Sequence, residues 1–371
     1  MTSTERKPTA QIDLKPGGHV HLMGICGTAM ASLAGILKTM GFQVSGSDQN
    51  VYPPMSTQLA SLGIPIQEGY KRSNLTPRPD LVIVGNVITR KMEEAQALLE
   101  SDIPFTSLPS ALGQFVIGSK QSLVVAGTHG KTTTTSLLSW VTDQCGLQPG
   151  FLIGGIPANF GQSFAIPKAD HFVIEGDEYD TAFFDKVPKF IHYRPRHVIL
   201  TSVEFDHADI YRDLEHVKEA FEMLLDRIPA NGTLVYQGHD ENIKELLSRK
   251  PRAFRQISYA DIQDKGQAEY EIHNIGHTPQ FCSFDVVHKG EVVDRLNSTL
   301  FGRYNLENVL AVYVLAKELG LDLAKVKTAI ASFKGVKRRQ EIIGQPRNIT
   351  VIEDFAHHPT AVRLTLEGIR E

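Results

Sequence analysis

Residues Gly127-Thr128-His129-Gly130-Lys131-Thr132 stand between an apolar run at 123–126 and a helical pattern over 132–144. A strand that ends on such a turn and feeds a helix has few architectures open to it. The first turn of a helix leaves backbone N–H groups without intrahelical partners, and the helix dipole adds positive potential there, so phosphate oxygens bind. Gly127 and Gly130 let the backbone approach a phosphate closely, Lys131 can neutralise the outer phosphates, and the Thr132 hydroxyl can ligate Mg²⁺. The general GxxxxGK[ST] pattern asks for glycine at Val125, so this is a shorter form of the loop. An ordinary glycine turn is the bland alternative; Gly-Lys-Thr set between strand and helix argues against it.

Two further polar clusters follow apolar runs. Glu175-Gly176-Asp177-Glu178-Tyr179-Asp180 comes after the run at 171–174 and brings four carboxylates to a strand end. Oxygen donors of this kind suit a hard divalent cation, and Glu175, first to leave the strand, is the expected ligand. A solvated acidic turn is the competing account. Phe205-Asp206-His207-Ala208-Asp209 follows the run at 197–201. His207 is expected to ligate metal or orient a phosphate, against the commoner structural role of a lone histidine. In open α/β sheets, ligands collect at the carboxyl ends of the strands, which places all three clusters on one side.

Upstream, strand-like runs at 19–23, 43–48 and 81–84, the first and last of them apolar, alternate with helical patterns, among them 29–40 with Gly41 as its stop. This alternation predicts a parallel α/β sheet. Its first turn, Gly24-Ile25-Cys26-Gly27-Thr28-Ala29-Met30, resembles a dinucleotide turn in which Cys26 replaces the second glycine and Ala29 the third. Asp48 ends the second strand, where such folds place an acid near a ribose, and Asn86 follows the 81–84 strand. With a separate phosphate loop downstream, a nucleotide-linked substrate fits this turn better than a free dinucleotide.

At 371 residues the chain is too long for one ordinary core. The expected class is α/β: a Rossmann-like N-terminal domain at 1–117, a central P-loop ATPase-like α/β domain with a mixed sheet at 118–343, and the start of a C-terminal Rossmann-like domain at 344–371. The strand expected at 349–354 and the helix from Pro359 stand alone, like the opening of a third domain that the sequence does not contain. A net charge of −4 gives no support for a nucleic-acid or membrane-surface partner. No apolar leader or window of spanning length is present, and three widely spaced cysteines, Cys26, Cys145 and Cys282, fit a reducing cytoplasm.

The combination resembles the Mur ligases of bacterial cell-wall synthesis. Their phosphate loop has the short form of 127–132, and their acidic and histidine motifs are similar to Glu175–Asp180 and Asp206-His207. An asparagine helix resembles Gly302-Arg303-Tyr304-Asn305-Leu306-Glu307-Asn308, and a domain entry resembles Asp354-Phe355-Ala356-His357-His358-Pro359. The resemblance implies that ATP, with Mg²⁺, phosphorylates the lactyl carboxylate of UDP-N-acetylmuramate and that an amine then displaces phosphate. It implies Lys131, Glu175 and His207 as catalytic residues, and Thr132, Glu175 and His207 as metal ligands. Gly127, Thr128, His129, Gly130, Lys131, Thr132 and Thr133 would bind ATP together with Asn305, Asn308, Arg339 and Asp354. Gly24, Ile25, Cys26, Gly27, Thr28, Ala29, Met30, Asp48 and Asn86 would bind the UDP-sugar.

Stretches such as Asn50-Val51-Tyr52-Pro53-Pro54 and Asp180-Thr181-Ala182-Phe183-Phe184 look most like members that attach the tripeptide L-alanyl-γ-D-glutamyl-meso-diaminopimelate, in peptidoglycan recycling. The alanine-adding ligase is the alternative within the family. A non-catalytic nucleotide sensor and an NAD-linked oxidoreductase are alternatives of other classes. Some family members carry a carbamylated lysine after the histidine motif; here Lys218 lies at a short spacing and Glu222 nearer the register, so no carbamylation is expected.

Overall fold

Strands too apolar to meet water on either face need cover on both, and a chain that alternates them with helices supplies it. The structure, a computed structural model, describes residues 7–208, 210–263, 268–278 and 280–370. Asp209 of the histidine motif lies outside these residues. The chain divides into two units, Met1–Gly118 with Tyr179–Tyr193, and Ser119–Glu178 with Arg194–Glu371.

In the first unit, β1 (His19–Met23), β2 (Gln43–Asp48), β3 (Ile66–Glu68), β4 (Leu81–Val84) and β5 (Phe105–Ser107) form a parallel sheet in the order β3-β2-β1-β4-β5. The order reverses between β1 and β4, which opens a crevice at their carboxyl ends. The helix Thr28–Thr39 follows β1 directly and buries Leu33, Ala34, Ile36 and Leu37. Gly41, φ 93°, stops it in the left-handed conformation expected of a helix terminator. The segment Tyr179–Tyr193 packs here as well: the Phe184 ring meets Phe105 edge-on at 5.0 Å, and Asp185 accepts a hydrogen bond from the Ser107 hydroxyl at 2.7 Å.

Among the described residues the second unit carries a ten-stranded sheet. Its strands are β6 (Gln121–Ala126), β7 (Gly150–Leu152), β8 (Phe164–Ala165), β9 (His171–Gly176), β10 (Pro195–Leu200), β11 (Thr233–Gln237), β12 (Arg255–Asp261), β13 (Tyr270–His277), β14 (Cys282–His288) and β15 (Glu291–Ser298). They run β15-β14-β13-β12-β11-β10-β6-β9-β7-β8, parallel from β13 to β7 and antiparallel at both edges. The mixed sheet expected for this unit is therefore present, and β13, β14 and β15 form its longer antiparallel wing.

The helices Lys131–Gln144 and Arg303–Glu318 share one core with this sheet, through Leu137, Leu138, Val141, Val309, Leu310 and Val312. Leu137, Leu138 and Val141 are at most 1% exposed, and burial of side chains this size stabilises by about 1.5–3 kcal/mol each. The first of these helices opens on four threonines, poor interior residues because their hydroxyls compete for backbone groups. Burial succeeds because Thr135, Ser136, Ser139 and Thr142 donate back to the carbonyls of Lys131, Thr132, Thr135 and Leu138 at 2.7–2.8 Å.

At the C-terminus the strand is shorter than expected. β17 (Val351–Glu353) does not stand alone but pairs antiparallel with β16 (Glu341–Gly344), with Ile342 opposite Ile352. A four-residue strand just before Gln345-Pro346 leaves too short a periodic signal to be read from sequence.

Candidate functional site

The register of the second sheet assembles the site. β6 lies between β9 and β10, with Val125 opposite Glu175 and Ala126 opposite both Gly176 and Leu200. The carboxyl ends of three parallel strands therefore finish level. The loop 127–132, the acidic segment and the segment leading to His207 emerge side by side.

The loop is held open by its backbone. Gly127 has φ 128°, and a Cβ there would lie 2.2 Å from the Thr201 hydroxyl. Gly130 caps the helix at φ 80° with Asn308 beside it, 3.0 Å from where a Cβ would stand. Only glycine satisfies both the positive φ and the close approach. The Thr201 hydroxyl donates to the His129 carbonyl at 2.5 Å, and the His129 N–H donates to the Ser202 hydroxyl at 3.1 Å.

Each of the two chemically active loop side chains meets a carboxylate from the acidic segment. The Lys131 ammonium donates to the Gly127 carbonyl at 2.6 Å and to Glu178 at 3.0 Å. The Thr132 hydroxyl donates to Glu175 Oε2 at 3.0 Å, while Glu175 Oε1 accepts the Gly154 N–H at 2.6 Å. Burial works against the Lys131 charge, but Glu178, Asp177 and Glu175 outweigh it, and its pKa is raised. Burial first, and the neighbouring Asp177 next, raise the pKa of Glu175. An oxygen-only pair 3.0 Å apart, one of them a carboxylate under repulsion from its neighbour, fits Mg²⁺, which relieves that repulsion when bound.

His207 approaches Glu178 as well, with Nε2 3.5 Å from Oε1. The hydrogen bond to Glu178 raises the His207 pKa against the opposing effect of burial. Its backbone is in the left-handed region at φ 55°, a conformation unusual for a side chain with a Cβ and held here by the Asp206 carboxylate accepting the His207 N–H at 2.7 Å. Tyr211, one turn on, donates its hydroxyl to the Glu178 carbonyl.

The residues expected at the far side of the nucleotide converge on the same loop. Asn305 donates to the Phe301 carbonyl at 2.8 Å and to Gln340 at 3.1 Å, and Asn308 sits 3.5 Å from Asn305. Arg339 reaches the Thr132 hydroxyl at 3.3 Å. Asp354 accepts the N–H groups of Gln340 and Ala356 at 2.8 and 2.7 Å, which fixes the turn carrying Arg339. Beside the loop lies a cleft of about 520 Å³ whose lining includes Gly130, Asp240, Tyr304, Glu307 and Asn308. That is within the range of small-molecule sites, about 300–1,000 Å³. Thr133 borders a neighbouring cavity with Arg339 and Asp354.

In the first unit, the turn after β1 forms at the order reversal. Gly24 and Ile25 donate to the Ser47 carbonyl at 2.8 and 3.1 Å. Asp48 is 6% exposed and commits its oxygens to the N–H groups of Cys26 and Asn50, at 2.8 and 2.9 Å, so it shapes the turn itself. Burial and the Asp48 charge push the Cys26 thiol up to about 11. Gly27 precedes the helix Thr28–Thr39, whose first residues include Thr28, Ala29 and Met30. Exposed Asn86 follows β4 across the crevice.

Glu178 was not singled out by sequence reasoning, although it lies in the acidic run. Its 3% exposed side chain joins Lys131 to His207. The available signal was its position, three residues beyond Glu175 and one before the chain crosses to the other unit. Lys218 is buried and paired with Glu245, which gives its ammonium a structural partner.

Residues 125–316 match the family model described as Mur ligase middle domain, and residues 19–120 the one described as Mur ligase family, catalytic domain. The chain belongs to the Mur ligase family, and as such it is an ATP-dependent ligase. It is 42% identical over 351 residues to the UDP-N-acetylmuramate–L-alanyl-γ-D-glutamyl-meso-2,6-diaminoheptandioate ligase of Escherichia coli, covering 95% of this chain and 75% of that protein. To the UDP-N-acetylmuramate–L-alanine ligase of Syntrophomonas wolfei it is 32% identical, covering 96% and 74%. The crystal structure of a murein peptide ligase from Psychrobacter arcticus superposes with a TM-score of 0.83 at 37% identity, covering 95% of this chain and 76% of that one.

Proposed function

We propose that this chain joins the tripeptide L-alanyl-γ-D-glutamyl-meso-diaminopimelate to UDP-N-acetylmuramate at the expense of ATP, a reaction of peptidoglycan recycling. The observation that carries the reading is the pairing of Lys131 with Glu178 and of Thr132 with Glu175 inside a short phosphate loop. Such an arrangement is built for phosphoryl transfer onto an anionic acceptor. The 42% identity to the Escherichia coli tripeptide ligase, against 32% to the alanine ligase, supports the choice of amine.

In this reading the lactyl carboxylate oxygen attacks the γ-phosphorus of ATP and ADP leaves, giving an acyl phosphate. The peptide amine attacks the acyl carbon, the C–O bond to phosphate breaks, and the surplus amine proton is lost. Lys131 neutralises the phosphates so that two anions can approach, and Gly127 and Gly130 let backbone N–H groups face them. Thr132 and Glu175 would hold Mg²⁺, which supplies further charge neutralisation at the transferred phosphoryl group. His207, whose pKa the hydrogen bond to Glu178 raises, would add positive charge on the same side when protonated or, when neutral, offer a nitrogen to a second cation. Asn305, Asn308, Arg339 and Asp354 would orient the nucleotide, and the Gly24–Met30 turn with Asp48 and Asn86 would receive the UDP-sugar. In this reading the reaction is cytoplasmic, which the three sparse, widely spaced cysteines support.

Phosphate release is to be measured with UDP-N-acetylmuramate, ATP and Mg²⁺, with either the tripeptide or L-alanine supplied. Turnover that requires the tripeptide supports the reading. Turnover with L-alanine alone replaces it with the alanine-adding activity, and binding of both nucleotides without acyl-phosphate formation replaces it with a sensor.

A further inference from the structure

Three side chains to which the proposed phosphoryl transfer assigns no catalytic role meet at the edge of the nucleotide cleft, one of them from the phosphate loop itself. His129 comes from the loop, Glu204 from the segment after β10, and His358 from the turn before the helix Pro359–Arg370. One nitrogen from each ring and one carboxylate oxygen all lie within 4.8 Å of one another. His129 Nε2 is 3.4 Å from Glu204 Oε2 and His358 Nδ1 is 4.0 Å from the same oxygen. The two rings are 4.7 Å apart between centroids, with their planes inclined at 43°.

We propose that His129, Glu204 and His358 form a binding site for a borderline transition-metal cation, Zn²⁺ in the first instance, that fastens the phosphate loop to the start of the helix Pro359–Arg370. A tetrahedral zinc ion with ligands at about 2.0–2.2 Å holds its donor atoms about 3.3–3.5 Å apart. The His129–Glu204 pair already has that spacing, and His358 Nδ1, 4.0 Å from the shared carboxylate oxygen, closes the set by moving nearer. Two imidazoles and one carboxylate leave the fourth position to water, and this nitrogen-rich set selects zinc over Mg²⁺, which prefers oxygen.

The surroundings hold the carboxylate where the ion needs it. The Thr360 hydroxyl donates to Glu204 Oε2 at 2.9 Å, an outer hydrogen bond of the kind that orients metal-binding carboxylates. The Glu204 N–H donates to the Thr128 hydroxyl at 2.9 Å, which anchors its backbone to the loop. The Thr360 N–H contact to His358 Nδ1, 3.3 Å, is long and is the one that the ion displaces.

The test is a calorimetric titration of the demetallated chain with Zn²⁺, alone and with a large excess of Mg²⁺, for the wild type, Glu204→Gln and His358→Asn. Circular dichroism melts establish that both variants are folded. Expected is one Zn²⁺ per chain with a dissociation constant below about 10 µM, unaffected by Mg²⁺ and weakened at least tenfold in each variant. Co²⁺ in place of Zn²⁺ should give the visible spectrum of a tetrahedral nitrogen–oxygen site. Zinc uptake that is equal in all three proteins, displacement by equimolar Mg²⁺, or no uptake at that concentration overturns the assignment.

Discussion

Glu178 is the carboxylate that both Lys131 and His207 face, and removing its charge tests the electrostatic account of the site. The Lys131 and Glu178 side chains are 12% and 3% exposed and 3.0 Å apart. At an effective dielectric near 20, full charges at that distance attract by about 5.5 kcal/mol, much of it offset by desolvation. Removing one partner of a buried pair costs about 3–5 kcal/mol because the other charge is stranded. In Glu178→Gln the amide oxygen still accepts a hydrogen bond, worth about 1 kcal/mol. The Gly127 carbonyl also remains 2.6 Å from the ammonium, so the expected cost is about 2–4 kcal/mol. Lys131→Met strands Glu178 in turn. The double variant, with no stranded charge at this pair, should lose at least about 1 kcal/mol less than the sum of the single losses. Denaturant unfolding of the four proteins without nucleotide measures this coupling. Losses that add to within about 0.5 kcal/mol would show that the pair contributes nothing beyond its separate members.

Lys131→Ala should abolish phosphate release while calorimetry still detects UDP-N-acetylmuramate, because the two candidate sites sit in separate units; parallel loss of both would refute that division. Gly127→Ala puts a Cβ 2.2 Å from the Thr201 hydroxyl at φ 128°, and should cost about 3 kcal/mol in denaturant unfolding and impair ATP binding; an unchanged midpoint and affinity would mean that the loop is plastic. The raised His207 pKa gives a stability term fully present below the ordinary value of 6.5 and lost as pH rises through the raised folded value. His207→Gln should therefore flatten the decline of unfolding free energy above pH 6.5, measured without divalent ions, and lower turnover sharply; a pH profile and rate that match the wild type would return His207 to a purely structural role.

The local signals of this chain were strong where one residue type has one physical use. Gly127 and Gly130 announce a turn with positive φ, Gly41 a helix stop, and the apolar runs before Gly24, Asn86, Gly127 and Glu175 announce buried parallel strands. Those features, together with the resemblance they carry, were sufficient for an α/β chain of more than one unit with a phosphate loop. Partnership was not legible. That β6 lies between β9 and β10, which brings Glu175, Glu178 and His207 to one loop, is a matter of sheet order, and strand order is set by long-range packing rather than by local pattern. For the same reason Asp48, legible as an acid at a strand end, turns out to hold its own turn through Cys26 and Asn50. The acidic run read as one cluster, yet the chain divides it: Glu175 and Glu178 stay with the loop, and Tyr179 onward packs in the first unit with Phe105. The sequence by itself determined which residues bear chemistry; tertiary structure alone decided that Glu178 joins Lys131 to His207, because a buried charge is satisfied by whatever folding brings within hydrogen-bond reach.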